Sequence, residues 1–328
     1  MRKGHTYFSE GDVLFAKITP CMQNGKHAVA RDLIDGIGFG STEFHVLRPS
    51  PDVTPEWLHY FVIQPHILHD AKAHLTGAVG QQRLPESFLA NIEIPVPPLP
   101  EQQRTAAILG EQMAAVERAR DAAQAQLRLL QDLTNTYLRQ SLDEHKPVEL
   151  PLSQGLIEVS RGVGSGWHNY RVIGATRAGL APAKEQVGKS PERYKFVDVD
   201  TIFYNPMRIL IGSIAMIDEG DEPGITSPDY VVLKTQQGIL HPRWFYYWLR
   251  SPYGENFIRT LARGAVRERM LFRRLASADI QAPPWDVQAK IAEKLRSIPM
   301  LQRAIGDQLE AIDDLPYMML QQAFNGEL

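Results

Sequence analysis

The chain has 328 residues, of which 44% are hydrophobic and 22% charged, a composition typical of a globular protein of about two domains. Its formal net charge of -3 excludes a wholly basic nucleic-acid binder, although a local basic face could still bind DNA. A single cysteine, Cys21, excludes an internal disulfide framework and fits the cytoplasm, where we expect the protein. We identify no signal peptide after Met1 and no apolar run of the roughly 18–20 residues that a membrane span needs.

Short β-branched or aromatic segments bounded by turn residues predict strands in the first part of the chain at 13–18, 43–47 and 91–96. Apolar residues on one face predict a helix over 55–74. A long helix without proline follows over 101–142, and its apolar residues recur at steps of three and four. That rhythm is typical of a coiled-coil stripe.

The second part of the chain repeats this order of elements. Strand-like segments lie at 201–204, 209–216, 230–234 and around Ile280, followed or flanked by a helix over 242–261. A second striped helix covers 286–324, where Pro299 and Pro316 should kink or split it. We favour an antiparallel pairing of the two striped helices, with ordinary core packing as the plainer alternative.

One sequence pattern occurs twice. Residues 55–60 (Pro-Glu-Trp-Leu-His-Tyr) return 187 positions later at 242–247 (Pro-Arg-Trp-Phe-Tyr-Tyr), and a Pro-Pro pair at 97–98 returns at 283–284. A period this long is not that of a solenoid, whose repeats run about 20–50 residues. It indicates a duplicated domain, and two like domains in one chain can bind two places on one extended target.

Several of these segments resemble specificity subunits of type I restriction–modification enzymes. The residues that carry the resemblance are 11–26, 94–104 at the start of the first long helix, 205–208 (Asn-Pro-Met-Arg), 227–230 (Ser-Pro-Asp-Tyr) and 323–328 (Ala-Phe-Asn-Gly-Glu-Leu). Each motif alone is weak, but together they cover both repeats and nearly the whole chain.

The resemblance implies an α+β fold with two tandem target-recognition domains. Each domain would be mixed, strand-rich with helices, and followed by a long helix, and the two helices would pair as an antiparallel coiled coil. The implied bounds are 1–100 for a shortened first target-recognition domain, 101–145 for the first spacer helix, 146–285 for the second target-recognition domain and 286–328 for the second spacer helix.

The resemblance also implies a non-catalytic subunit without a cofactor. Its partners would be double-stranded DNA with a bipartite site, methyltransferase subunits, expected to be two, docked through the helices, and restriction/translocase subunits in the full complex. Methylation and cleavage would come from those partners. The alternative is a stand-alone DNA-binding or assembly scaffold, derived from such a subunit, that has lost full bipartite recognition.

The two repeats differ in what precedes their first matching strand. Residues 146–194 form a leading section in the second repeat, whereas only residues 1–10 precede Gly11 in the first. A late gene start, a pruned domain and a section supplied by a partner would each explain the difference. We therefore expect the second repeat to bind DNA more firmly.

Polar loops in both repeats are candidates for DNA contact, because base reading needs forked polar groups and phosphate contact needs Lys or Arg. Glutamine suits adenine edges and arginine suits guanine. Turn formation is the plainer alternative at Asn24, since Asn-Gly is a strong turn signal. The expected DNA-binding residues are Lys17, Gln23, Asn24, Lys26, Gln81, Gln82, Arg83, Asn205, Arg208, Arg263, Arg267 and Arg269, with His27 beside the first loop.

The last three of these belong to an arginine cluster. Six arginines within 259–274 face only one acid, Glu268, which gives this stretch a local net charge of +5. A solvated helix face is the plainer interpretation, but Gly264 breaks the stretch into a loop, which favours DNA contact. The six are Arg259, Arg263, Arg267, Arg269, Arg273 and Arg274.

We identify no catalytic residue and no metal ligand. Residues 205–208 and 227–230 are imperfect versions of an adenine-methyltransferase loop, and no phosphate-binding Gly-x-x-x-x-Gly-Lys-Ser/Thr loop occurs. His66, His69 and His74 lack supporting ligands at metal-site spacing, so we expect them on a helix surface.

Overall fold

A computed structural model describes residues 4–78, 80–183, 187–262 and 269–328. The chain forms two compact units. The first comprises Met1–Ala125 with Ile305–Leu328, and the second comprises Gln126–Ala304.

The first unit combines short antiparallel strands with helices. Its strands are β1 (Thr6–Ser9), β2 (Val13–Ala16), β3 (His27–Val29), β4 (Ile37–Gly40) and β5 (Phe44–Leu47). β2 lies between β3 and β5 in one sheet, and β1 pairs with β4. Its helices are α1 (Pro55–Val62), α2 (Pro65–Ala73), α3 (Glu86–Ala90), the first part of α4 (Leu99–Asp143) and the last part of α10 (Ile298–Phe324).

The structure corrects two predictions for the first repeat. The helix predicted over 55–74 is two helices, because Pro65 favours the extended conformation that Gln64 adopts, and α1 ends at Val62. The segment 91–96 is not a strand. Its counterpart, β15 (Asp279–Ala282), pairs with β6 (Val148–Pro151), and among the described residues 91–96 have no such ladder partner.

The second unit carries the larger sheet. Its remaining strands are β7 (Leu156–Glu158), β8 (Ile173–Thr176), β9 (Gly179–Pro182), β10 (Lys195–Val197), β11 (Ile202–Tyr204), β12 (Ile214–Met216), β13 (Gly224–Thr226) and β14 (Val231–Thr235). The antiparallel order β12-β11-β14-β7 forms the sheet, and β8–β9 and β10–β13 form pairs. Its helices are α5 (Leu152–Gly155), α6 (Pro242–Arg250), α7 (Pro252–Ala262), α8 (Phe272–Ala276), α9 (Trp285–Leu295) and the adjoining parts of α4 and α10.

Proline and glycine set the element ends that differ from prediction in the second unit. The strand predicted over 209–216 is wrong in its first half, because Ile209–Ile211 is a 3-10 turn and Gly212 adopts a φ of 84°. Pro252 begins α7 and divides the helix predicted over 242–261. The break predicted near Pro299 separates α9 from α10, whereas Pro316 lies inside α10, which continues to Phe324.

Each unit has its own hydrophobic core. In the first unit, Phe15 and Met22 are fully buried against Phe61 and Leu84. In the second, the aromatic residues of α6 pack on the large sheet and on the end of α4. The central side chains there include Leu138, Tyr204, Leu233, Trp244 and Phe245.

The two striped helices pair in an antiparallel sense within the first unit. Leu109 of α4 packs against Leu320 of α10, whereas Val116, further along α4, packs against the earlier residue Ile312. An ion pair of 2.8 Å between Arg120 Nη2 and Asp313 Oδ1 follows the same order. The predicted antiparallel pairing is therefore confirmed for this part of the helices.

A buried glutamine connects the globular part of the first repeat to α4. The Gln102 side chain is fully buried. Its Oε1 accepts the Thr54 N–H at 2.9 Å, and its Nε2 donates to the carbonyls of Asp52 at 2.8 Å and Pro97 at 2.7 Å. One amide thus joins the start of α1, the proline segment and the first turn of α4.

The second repeat contains the same arrangement. Gln288 is 1% exposed. Its Oε1 accepts the His241 N–H at 2.8 Å, and its Nε2 donates to the carbonyls of Ile239 at 3.1 Å and Pro283 at 2.9 Å. Gln102 and Gln288 each lie five residues after the first proline of the repeated Pro-Pro pair, so the repeat preserves a three-bond joint.

A second contact recurs with its charges reversed. Arg31 pairs with Glu56 of α1 in the first repeat, and Asp218 pairs with Arg243 of α6 in the second. Ala30, just before Arg31, donates its N–H to the Asp12 carbonyl and accepts the Gly11 N–H. Ile217, just before Asp218, does the same with Thr201 and Asp200, so the two positions correspond. The second pair is 8% and 10% exposed, whereas the first is 57% and 33% exposed.

We predict that Gln102→Leu lowers the free energy of unfolding of the first unit by about 3 kcal/mol, because it leaves two buried carbonyls and an N–H without partners. The measurement is urea unfolding followed by circular dichroism. The exposed neighbour Gln103 provides the control, and Gln103→Leu should change the unfolding midpoint little. Equal effects of the two substitutions would contradict a structural role for Gln102.

Candidate nucleic-acid interface

Main-chain hydrogen bonds bring the two polar loops of the first repeat together. The Thr19 N–H donates to the Gln82 carbonyl at 2.9 Å, and the Gln82 N–H donates to Thr19 Oγ1 at 3.0 Å. The Leu84 N–H donates to the Lys17 carbonyl at 2.9 Å. The candidate residues of loop 17–26 and of loop 76–83 therefore share one surface, although about 60 positions separate the loops in the sequence.

Most of these candidate side chains are accessible to solvent. Gly25 adopts a φ of 64°, so the turn expected at Asn24 is present and leaves the Asn24 side chain exposed. Lys17 and Gln82 are half-buried at the seam between the loops. The exposed candidates of the first repeat are Gln23, Asn24, Lys26, Gln81 and Arg83.

Arg83 is held in a fixed orientation by a carboxylate. Its Nε and Nη2 each lie 2.9 Å from a Glu43 carboxylate oxygen, and its Nη1 donates to the Gln81 carbonyl at 3.2 Å. The hydrogen bonds from Arg83 lower the pKa of Glu43, so Glu43 stays ionised. These bonds use three of the five guanidinium N–H groups and leave one on each Nη atom, the fork that fits a guanine edge.

The second repeat joins its loops by the same bond. The Met270 N–H donates to the Pro206 carbonyl at 3.0 Å, as Leu84 does to Lys17 in the first repeat. Arg269 and Arg83 each lie one residue before that donor, so the two arginines occupy corresponding positions. Both are exposed.

Asn205 and Arg208 lie at a cleft of about 380 Å³ in the second unit. Asn205 Oδ1 accepts the Met207 N–H at 2.9 Å, which shapes the turn, and Arg208 is exposed. The cleft also contains polar side chains that the sequence analysis did not select. They include Arg177, Tyr194, Ser227 and Asp229, of which the last two belong to the motif at 227–230.

Two of the predicted contact residues, Arg263 and Arg267, lie outside the described residues. Among the remaining arginines of the cluster, Arg259 pairs with Glu255 at 2.6 Å on the surface of α7. Arg273 and Arg274 lie on α8.

His27 has a structural environment. Its ring stacks on Phe15 with centroids 4.0 Å apart, and its Nδ1 accepts the Ala16 N–H at 3.1 Å. Burial lowers the pKa of His27 to about 4, because the charged imidazolium is poorly solvated there. His27 therefore supports β2 and β3, where the loop begins.

Across the described ranges, no group of three or more His, Cys, Asp or Glu side chains is arranged to hold a metal ion. The helices in the same ranges are too short or too polar for any of them to cross a membrane.

Comparison with known proteins finds relatives of the first repeat. Residues 2–122 match the family model of the type I restriction modification DNA specificity domain. The type I restriction enzyme EcoEI specificity subunit of Escherichia coli is 35% identical over 151 residues, which are 46% of this chain and 25% of that protein. The matched part thus spans a quarter of the length of that relative.

Solved structures resemble the whole chain in fold. A chain from a study of complex assembly and conformational transition of the type I R-M system has a TM-score of 0.66 at 18% identity, covering 100% of this chain and 85% of that chain. The S subunit of a type I restriction–modification system from M. genitalium has a TM-score of 0.55 at 13% identity, covering 97% and 84%. At these identities the likeness concerns the fold alone, and it confirms the α+β fold.

The first repeat is therefore similar to the DNA specificity domain of type I restriction–modification systems. The resemblance of this part of the chain to that family's specificity subunits is confirmed.

We predict that the first unit loses stability as the pH falls from about 6.5 towards 4. The pKa of His27 is lower in the folded chain than in the unfolded chain. As the pH falls, the unfolded chain therefore takes up a proton before the folded chain does, and this uptake lowers the free energy of unfolding. Thermal melts between pH 7.5 and 4.5 measure the decline. His27→Gln should flatten it, and the exposed His66→Gln should retain it; an unchanged slope in His27→Gln would contradict the assignment.

Proposed function

We propose that this chain is the non-catalytic DNA sequence-recognition subunit of a type I restriction–modification complex and that it reads a bipartite site. Residues 1–100 and 146–285 would be the two target-recognition domains, and 101–145 and 286–328 the spacer helices. The observation that carries the proposal is the paired loops, which recur in both repeats with one connecting hydrogen bond and an arginine at the same position.

The side chains divide into two roles. Lys17 and Lys26 suit phosphate contacts, which position the domain without reading sequence. The exposed amides of Gln81 and Asn24 suit adenine, and the forks of Arg83, Arg208 and Arg269 suit guanine. We place Gln23, Gln82, Asn205, Arg263 and Arg267 in the same interface.

The catalytic partners would dock on the long helices. Apolar side chains that the cores leave exposed lie on both helices, Leu129 at 66% and Leu133 at 40% on α4, and Met300 at 62% and Met318 at 56% on α10. Exposed apolar residues of this size favour contact with another protein. We propose methyltransferase subunits there, two per chain, with restriction/translocase subunits joining in the full complex in the cytoplasm.

Methylome sequencing of the host with and without this gene would test the proposal first. A split motif whose methylation disappears on deletion of the gene is the expected result. Unchanged methylation would instead support the alternative scaffold role.

On a duplex that carries the split motif, we predict that Arg83→Ala and Arg269→Ala each weaken binding about tenfold or more, because each removes one guanine fork. Lys26→Ala should weaken binding less specifically and reduce the slope of log K against log salt by about 0.9. Fluorescence anisotropy at several salt concentrations measures both. Lys290→Ala on α9 is the matched charge control, and losses no larger than the control's would contradict the interface.

A further inference from the structure

Three large apolar side chains are exposed on and beside the turn that carries Asn205 and Arg208. Met207 is 59% exposed, Ile211 67% and Leu271 53%. We call these three residues the apolar group. Exposed apolar side chains that lie together usually mark a contact surface.

Main-chain hydrogen bonds place the apolar group at the cleft of the second unit. The Met270 N–H donates to the Pro206 carbonyl at 3.0 Å, which brings Leu271 beside the turn. The Ile211 N–H donates to the Arg208 carbonyl at 3.1 Å, and both residues line the cleft. The apolar group therefore adjoins the side chains that we place against DNA.

The first repeat differs at the matching positions. The main-chain bond that joins the two loops recurs in both repeats. The residue after its acceptor is Met207 in the second repeat and Ile18 in the first, and the residue after its donor is Leu271 in the second and Pro85 in the first. Ile18 and Pro85 are half-buried. The joint thus forms without fully exposed apolar side chains at these positions, so folding does not account for their exposure in the second repeat.

Forked cations stand next to the apolar group. Arg208 directly follows Met207, and Arg269 lies two residues before Leu271; both arginines are exposed. An apolar protein surface would desolvate these guanidinium groups without supplying acceptors. The major groove of DNA supplies both kinds of partner, because the thymine methyl group lies there among the acceptor atoms of the purines. The combination therefore favours DNA as the occupant.

We propose that Met207, Ile211 and Leu271 contact thymine methyl groups in the major groove of the half-site that the second repeat reads. The inference rests on the proposed recognition function and adds a second kind of base reading to it. Arginine and amide forks select bases by hydrogen bonds, whereas the apolar group selects thymine by its methyl group.

The test replaces thymine by uracil in a duplex that carries the split motif, one half-site at a time. Uracil lacks only the methyl group, so every hydrogen-bonding group of the base pair is kept. Fluorescence anisotropy measures binding of the full chain. In one half-site, binding should weaken about fourfold for each methyl contact that is lost. In the other half-site, the change should stay below about twofold.

Two variants of the chain assign the uracil effect to its residues. A chain with Met207→Ala, Ile211→Ala and Leu271→Ala should bind the thymine and uracil duplexes equally, because the methyl groups then have no apolar partner. Ile157 on β7 is 52% exposed and does not line the cleft, so Ile157→Ala is the matched control and should keep the full uracil effect. Circular dichroism checks that both variants fold.

Two results would overturn the proposal. One is equal binding of the thymine and uracil duplexes by the unmodified chain. The other is an undiminished uracil effect in the triple variant. The recognition function is decided separately, by whether the unmodified chain prefers the split-motif duplex to a scrambled duplex. That preference can persist without any uracil effect, so the two failures are distinguishable.

Discussion

A single buried amide holds each globular part of this protein to the helix that follows it. Gln102 and Gln288 each make three hydrogen bonds to main-chain groups that no neighbouring strand or helix satisfies. An amide side chain offers one acceptor and two donors in a plane, which matches an N–H and two carbonyls converging from three segments. The polar loops depend on this joint, because they extend from strands that pack against the helices it fixes.

The reversed ion pairs indicate what the duplication preserves. Arg31 with Glu56 and Asp218 with Arg243 keep the contact while exchanging the charges. If a segment of one repeat packed on the helix of the other, Arg31 would face Arg243 or Asp218 would face Glu56. Like charges at that distance repel. The reversed charges therefore favour packing of the segment after β3 on α1 and of the segment after β12 on α6. Without this difference, two such similar repeats could exchange these partners.

The sequence predicted elements best where local information suffices. The long helix expected over 101–142 is Leu99–Asp143, since an uninterrupted heptad stripe specifies a helix by itself. The segment 91–96 has the composition of a strand but does not form one, because a strand also needs a hydrogen-bonded neighbour. For β15, its counterpart in the second repeat, that neighbour is β6, more than 120 residues earlier in the sequence. Local composition carries no information on such a pairing.

The sequence indicated which residues are candidates for the site better than it indicated how they are arranged. Amides and arginines in loops pointed to Gln81, Arg83 and Arg208, but their grouping depends on bonds such as that between Thr19 and Gln82, which no spacing predicts. The cleft residues Arg177 and Tyr194 carried no signal, since they lie in a leading section without motifs.

The position of Glu43 bears on how a chain of net charge -3 could recognise DNA. Glu43 neutralises much of the charge of Arg83, which weakens its attraction for any phosphate, and it also fixes the guanidinium plane through two bonds of 2.9 Å. A fixed fork loses little side-chain entropy on meeting a base, so its remaining donors favour the matching acceptor pair over a general anionic surface. In the second repeat, Asp229 takes the position of Glu43 in the sheet register, two residues before Val231, where His45 of the first repeat has its counterpart. For the DNA contact proposed for Arg83, its pair with Glu43 favours selectivity between bases over non-specific affinity.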